Sequence, residues 1–247
     1  MSLDVIDLRN FYGQRLGTVA RRFIGRAIRA QWTDTTGQRV LGVGYATPYL
    51  GLFREEAERC LAFMPASQGV VKWPTARPTL ATLVDPWEMP LPDSSVDRVL
   101  LVHALEMSED AAALLREVWR VLNGGGRLLV VVPNRRGVWA RMDTTPFGHG
   151  RPYSRSQITG LLLDTWFTPM SWGEALYLPP VSRAWFLRSA VAWERAGATI
   201  SAPFNGVHLV EASKQVYRVI PARRARRKLV PALNPALVPS PGVPARG

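Results

Sequence analysis

The chain has 247 residues, 47% hydrophobic and 20% charged, which is enough apolar material for the core of one α/β domain and too much for a disordered chain. Cys60 is the only cysteine, so an intrachain disulfide and a cysteine metal cluster are excluded, and no run reaches the roughly 18 apolar residues of a membrane span. The net charge of +12 does not by itself demand nucleic acid, because half of it comes from Arg223, Arg224, Arg226, Arg227, Lys228 and Arg246 in the last segment.

The opening MSLDVIDLRN carries acids and lacks the basic leader and apolar block of a secretory signal, which predicts a cytoplasmic location. In residues 4 to 31, Leu8, Tyr12, Leu16, Val19, Phe23 and Ala27 recur at three- and four-residue spacing. That spacing predicts an amphipathic helix packed on the main domain, with Arg15, Arg22, Arg26 and Arg29 in water. The loop TDTTG leads to a first strand at Gln38 to Val43, then to a turn at Gly44 and a helix over residues 51 to 63. GVVKWP reads as a second strand, TLATLVDP as a third and SSVDRVLLVHA as a fourth. The next helix, SEDAAALLREVWRVL, buries Leu114, Leu115, Val118, Trp119 and Leu122, and Gly124, Gly125 and Gly126 are expected to end it. RLLVVVP is a fifth strand, apolar enough to be covered on both faces. Strands alternating with helices predict a doubly wound, mostly parallel sheet, whose ligands sit at the carboxyl ends of the strands.

Three stretches, VLGVGYATPYL, VDPWEMPLPDSSVDRVLLVHALE and LLREVWRVLNGGGRLLVVVPNRRG, together resemble a class I S-adenosylmethionine-dependent methyltransferase of the group with small-molecule and lipid-like substrates. They cover about residues 39 to 137, and their order and spacing are more specific than a lone glycine loop. The resemblance implies a Rossmann-like sheet, S-adenosylmethionine as cofactor and an unidentified methyl acceptor. It puts Gly44 at the close approach to the amino-acid part of the cofactor, with Tyr45 and Ala46 completing the turn. Asp85 falls on the acid that accepts a hydrogen bond from the adenine amino group, and Pro86 and Trp87 would wall the ring. His103 lies where members of the family touch the cofactor or present a group to substrate; a strand-end histidine satisfied by backbone is the plainer alternative.

Two positions depart from the family. Gly42 stands where an acid anchors the cofactor's amino-acid end, and Lys72 lies near where an acid holds the ribose hydroxyls. A charged lysine donates hydrogen bonds and accepts none, so it does not replace a carboxylate. Pro48 also removes an N–H from the turn.

After the fifth strand, Ser154 with Gln157 three residues on reads as a capping box opening a helix. The loop TTPFGHGRPYS offers His149, Arg151 and Tyr153 as candidates for a substrate pocket, and Asn134 has no assigned role. MSWGEALYLPP reads as a sixth strand, VSRAWFLRSAVAWERAG as an inserted helix and FNGVHLVEASKQVYRV as the final strand, with Trp166, Trp172, Trp185 and Trp193 as packing residues. The expected organisation is one methyltransferase-like domain over 1–220, comprising a helical extension (1–37), a cofactor half (38–137) and a substrate or cap half (138–220). A basic, Pro-rich and disordered tail over 221–247 follows, which either is simply solvated or touches RNA, an anionic surface or an acidic protein. Two functional readings stand. One is a methyltransferase that uses S-adenosylmethionine; the other is a catalytically degenerate binding or regulatory protein of the same fold, contacting RNA or an acidic partner through its tail. No catalytic residue and no metal ligand is assigned.

Overall fold

The computed structural model describes residues 3–76, 78–181, 183, 189–200 and 204–216. Its centre is a seven-stranded sheet of order β3-β2-β1-β4-β5-β7-β6, formed by β1 (Arg39–Gly44), β2 (Arg59–Pro65), β3 (Ala81–Val84), β4 (Val96–Val102), β5 (Leu122–Pro133), β6 (Phe167–Ala175) and β7 (Val207–Lys214). Strands β1 to β5 pair in parallel, and β7 runs antiparallel between β5 and β6. The chain winds outward from β1 to β3 and then returns to β4 on β1's other side. This reversal opens a crevice at the carboxyl ends of β1 and β4.

Both faces of the sheet are covered, and alternation along each strand divides the core. Leu100 and Val102 of β4 with Leu129 and Val131 of β5 join the layer under α1 (Val5–Gly13) and α2 (Arg15–Gln31). Val99 and Leu101 with Leu128, Val130 and Val132 join the layer under α4 (Ala111–Val121) and α5 (Arg155–Asp164). Each such buried aliphatic side chain contributes about 1.5–3 kcal/mol. The basic stripe of α2 faces outward at Arg15, Arg22 and Arg26, while Arg29 forms a forked ion pair with Glu56. Among the described residues, no helix is long and apolar enough to cross a membrane.

Several expected elements are revised. Residues 4 to 31 form two helices, with Gln14 extended between them (φ −81°, ψ 165°). The end of α1 folds back so closely on α2 that a Cβ at Gly17 would lie 1.9 Å from the Phe11 carbonyl oxygen. The helix expected over 51–63 is only α3 (Thr47–Leu50) followed by turns, because Cys60 to Met64 is recruited as β2 between β1 and β3. GVVKWP is therefore a loop between β2 and β3, and Lys72 lies well beyond the end of the second strand at Pro65. The glycines 124 to 126 lie inside β5: α4 stops at Val121 with Leu122 already extended. The sixth strand begins at Phe167, earlier than expected. Of the inserted helix, α6 (Ala190–Ile200) is described. Trp166 and Trp193 are about half exposed rather than packed inside, and Trp185 lies outside the described residues, as does the segment 221–247.

Candidate functional site

A cavity of about 310 Å³ opens at the carboxyl ends of β2, β3 and β4. The turn after β2 contributes Ser67 and Gln68, the turn after β3 contributes Asp85, Pro86 and Trp87, and the segment after β4 contributes Ala104, Met107 and Ser108. Asp85 is exposed; its Oδ1 accepts the Trp87 backbone N–H at 2.9 Å, and Trp87 Nε1 donates to the Asp110 carbonyl at 3.3 Å. Two buried polar atoms of cavity residues, Gln68 Oε1 and Ser108 Oγ, have no hydrogen-bond partner. Unpaired buried acceptors and hydroxyls cost about 1–3 kcal/mol each. Both residues line the cavity.

The Gly44 turn is built differently. Gly44 has φ +81°, and a Cβ on it would lie 2.4 Å from the Val102 carbonyl oxygen and 2.7 Å from the Ala104 Cβ. The Tyr45 N–H donates to that same Val102 oxygen at 2.8 Å. The end of β1 therefore presses directly on the end of β4. Tyr45 and Ala46 are buried, and Gly42 lies beneath them, where a Cβ would meet Ala46 and Leu50 at 2.7 Å.

Over this turn sits a buried polar chain. Tyr49 of α3 donates its hydroxyl to the Tyr12 hydroxyl at 3.1 Å, and Tyr12, from α1, lies 2.8 Å from His103 Nε2. Because the Tyr12 oxygen accepts from Tyr49, its own proton is free to point at Nε2. His103 Nδ1 then lies 3.2 Å from Glu106 Oε1, out of line for a hydrogen bond. Both side chains are 1% exposed, and Glu106 Oε2 has no partner. His103 holds a left-handed backbone, φ +49°, and its carbonyl accepts Gln68 Nε2 at 2.5 Å. The Tyr12 ring stacks on Tyr45 (5.7 Å, 23°), and Phe147 packs at 5.1 Å from the His103 ring. Burial, with Tyr49 nearby, raises the Tyr12 hydroxyl well above its ordinary pKa, so it stays protonated.

The fold has counterparts among solved structures. A methyltransferase of Haloferax volcanii, solved with the Trm112 methyltransferase activator, superposes with a TM-score of 0.60 at 17% identity, covering 87% of this chain and all of that one. A Thermotoga maritima S-adenosylmethionine-dependent methyltransferase gives 0.59 at 15% identity, covering 85% and 96%. The fold is the class I methyltransferase fold. In sequence, residues 25–130 match the family model described as a methyltransferase domain. A Mycobacterium tuberculosis protein named Probable S-adenosylmethionine-dependent methyltransferase is 41% identical over 86 residues, 34% of this chain and 31% of that protein. The chain thus spans about a third of the length of the curated relatives it matches.

Within the methyltransferase fold, the residues expected from sequence fall into two groups. Asp85, Pro86 and Trp87 line the cavity. Gly42, Gly44, Tyr45 and Ala46 do not; they form the packed turn beneath Tyr12. His103 bridges the groups, since its neighbour Ala104 is in the cavity wall while its ring belongs to the polar chain. Gln68 and Ser67 occupy the place after β2 that had been given to Lys72. Glu106 was not singled out from sequence, although an acid three residues past His103 is a local signal, whereas nothing local to Tyr12 or Phe147 points at a histidine about 90 or 44 residues away. Of the loop candidates, His149 Nε2 is held 2.8 Å from the Asp143 carbonyl, and Tyr153 and Arg151 anchor the segment to β5 and to the Glu106 backbone. Asn134 ties the end of β5 to Asn205.

Proposed function

We propose that this protein is an S-adenosylmethionine-dependent methyltransferase whose cofactor lies with its adenosyl end in the cavity between the β2, β3 and β4 turns. The observation that carries this reading is the cavity's lining at the carboxyl ends of three strands: Ser67 and Gln68 after β2, Asp85, Pro86 and Trp87 after β3, and Ser108 after β4. A nucleoside offers both donors and acceptors to such a wall. The cavity lies at the low end of ligand pockets, which run about 300–1,000 Å³ and are mostly apolar with a few placed polar groups. That suits the adenosyl portion. Trp87 and Pro86 supply flat apolar surface, Asp85 and Gln68 supply acceptors, and Ser108 supplies a hydroxyl. When bound, S-adenosylmethionine brings a methyl group already activated on a sulfonium sulfur. The task left to the chain's residues is to position the acceptor and exclude water.

Calorimetric titration with S-adenosylhomocysteine tests the site. Asp85→Ala is expected to weaken binding by about 1.5 kcal/mol, roughly tenfold, the low end for a hydrogen bond to an exposed charged group. Ser108→Ala is expected to leave or raise the melting temperature, since it removes an unpaired hydroxyl, and yet to weaken binding. Unchanged affinity in both variants would remove the cavity from the cofactor site. For segment 221–247 we propose, on charge alone, contact with an acidic protein, RNA or an anionic surface.

A further inference from the structure

We propose that the space now held by the Tyr12 side chain is the acceptor site, that the acceptor carries a phenol-like hydroxyl, and that His103, paired with Glu106, takes its proton. This rests on the methyltransferase reading above. Tyr12 belongs to a nine-residue helix set off from α2 by the extended Gln14, and every polar group it covers comes from the body of the fold. On α1's outer side, between it and the segment 143–149, a further cavity of about 430 Å³ has Phe11 in its wall, so the helix has room beside it to move. The groups under Tyr12 are ones that sheet packing does not require. A left-handed histidine, a fully buried carboxylate and an unpaired carboxylate oxygen each destabilise the folded state. They cluster at the carboxyl end of β4, at the reversal of strand order, one residue from the adenosyl cavity.

The Tyr12 hydroxyl shows what this place accepts: a flat ring on Tyr45 with its oxygen at His103 Nε2 and Tyr49. With an acceptor hydroxyl there, its proton passes to Nε2 as its oxygen bonds to the methyl carbon. The electron pair of the broken sulfur–carbon bond remains on the donor sulfur, which becomes the neutral thioether of S-adenosylhomocysteine. Glu106, 3.2 Å from Nδ1, balances the charge of the imidazolium. His103 is the catalytic residue in this scheme and Glu106 a positioning residue.

The probe is p-cresol, the tyrosine side chain as a free molecule, with toluene as its apolar counterpart. In full-length Tyr12→Ala, p-cresol is expected to raise the melting temperature saturably and to bind about tenfold more tightly than toluene, the margin of a built hydroxyl partner. Adding His103→Asn, a residue that tolerates the left-handed backbone, should erase that preference while toluene still binds. With methyl-labelled S-adenosylmethionine, Tyr12→Ala should form the methyl ether of p-cresol. Adding Glu106→Gln should then lower turnover by about tenfold or more with the p-cresol Kd little changed, a kcat effect that a packing defect would not isolate. If Tyr12→Ala does not fold, Tyr12→Leu, which keeps helix propensity and most contacts, is titrated with phenol and benzene in the same way. Equal binding of p-cresol and toluene overturns the hydroxyl site. Binding of p-cresol beside bound S-adenosylhomocysteine, with no ether formed, overturns its role as acceptor site. Failure of wild type to bind S-adenosylhomocysteine at all would instead overturn the methyltransferase reading.

Discussion

Gly42 shows how the meaning of a residue changes between sequence and structure. As a sequence letter it stands where the resemblance to the methyltransferases implies an acid, which suggests that Gly42→Asp would improve cofactor anchoring. In the fold, a Cβ there already lies 2.7 Å from Ala46 and from Leu50, deep under the turn. An aspartate would be both overpacked and buried without a partner, so the substitution is expected to destabilise the protein by more than about 3 kcal/mol, read from urea unfolding. A variant as stable as wild type would show that this packing yields easily. His208 of β7 gives a pH signature elsewhere. Burial pushes its imidazole down to about 4, outweighing the pull of Glu174 at 3.7 Å, and Arg155 adds to the depression. The unfolded chain takes up that proton near pH 6.5 while the folded chain refuses it until about pH 4, so stability is complete above the first value and is lost as pH falls between the two. Melting temperatures measured across this window should therefore decline more steeply in wild type than in His208→Gln.

The α5 helix opens on the reciprocal pair expected from sequence: Ser154 Oγ accepts the Gln157 N–H, and Gln157 Oε1 accepts the Ser154 N–H. Ser154→Ala should cost about 1 kcal/mol in denaturant titrations, and Ser154→Asp, which can still cap, should restore most of it. Such local signals were legible because their partners lie within four residues. So were β1, β4 and β5, whose apolar stretches at residues 40–43, 99–102 and 128–132 are buried in the sheet. The segment 51–65 was misread for a physical reason. GLFREEAERCLAFM has helix formers in its first half and a five-residue apolar run in its second, and only pairing with β1 and β3 decides that the run is extended. That single misreading moved the end of the second strand from Pro65 to the GVVKWP segment. It therefore hid Gln68 and made Lys72 a candidate. The other missed residues, Tyr12, Tyr49 and Phe147, meet His103 only through tertiary packing, which no local pattern encodes.

At the scale of the molecule, the cavity residues run from Pro65 to Leu114 and the sheet closes at Lys214. Removing residues 221–247 is therefore expected to leave S-adenosylhomocysteine affinity and the cooperative melt unchanged while halving the net charge. The salt dependence of binding to a polyanion such as heparin should flatten accordingly. A lost melt or a weakened nucleoside affinity would tie that segment to the domain. The strand order carries one more consequence, for synthesis. Because β7 lies between β5 and β6, the long apolar β5 has no neighbour on that side until residues 207–214 have left the ribosome. At ordinary elongation rates of about 5–20 residues per second, the bare edge persists for roughly 4–15 s in every nascent chain. During that interval the growing polypeptide is a natural client for holding chaperones, and a message truncated before codon 207 would yield a product prone to aggregate.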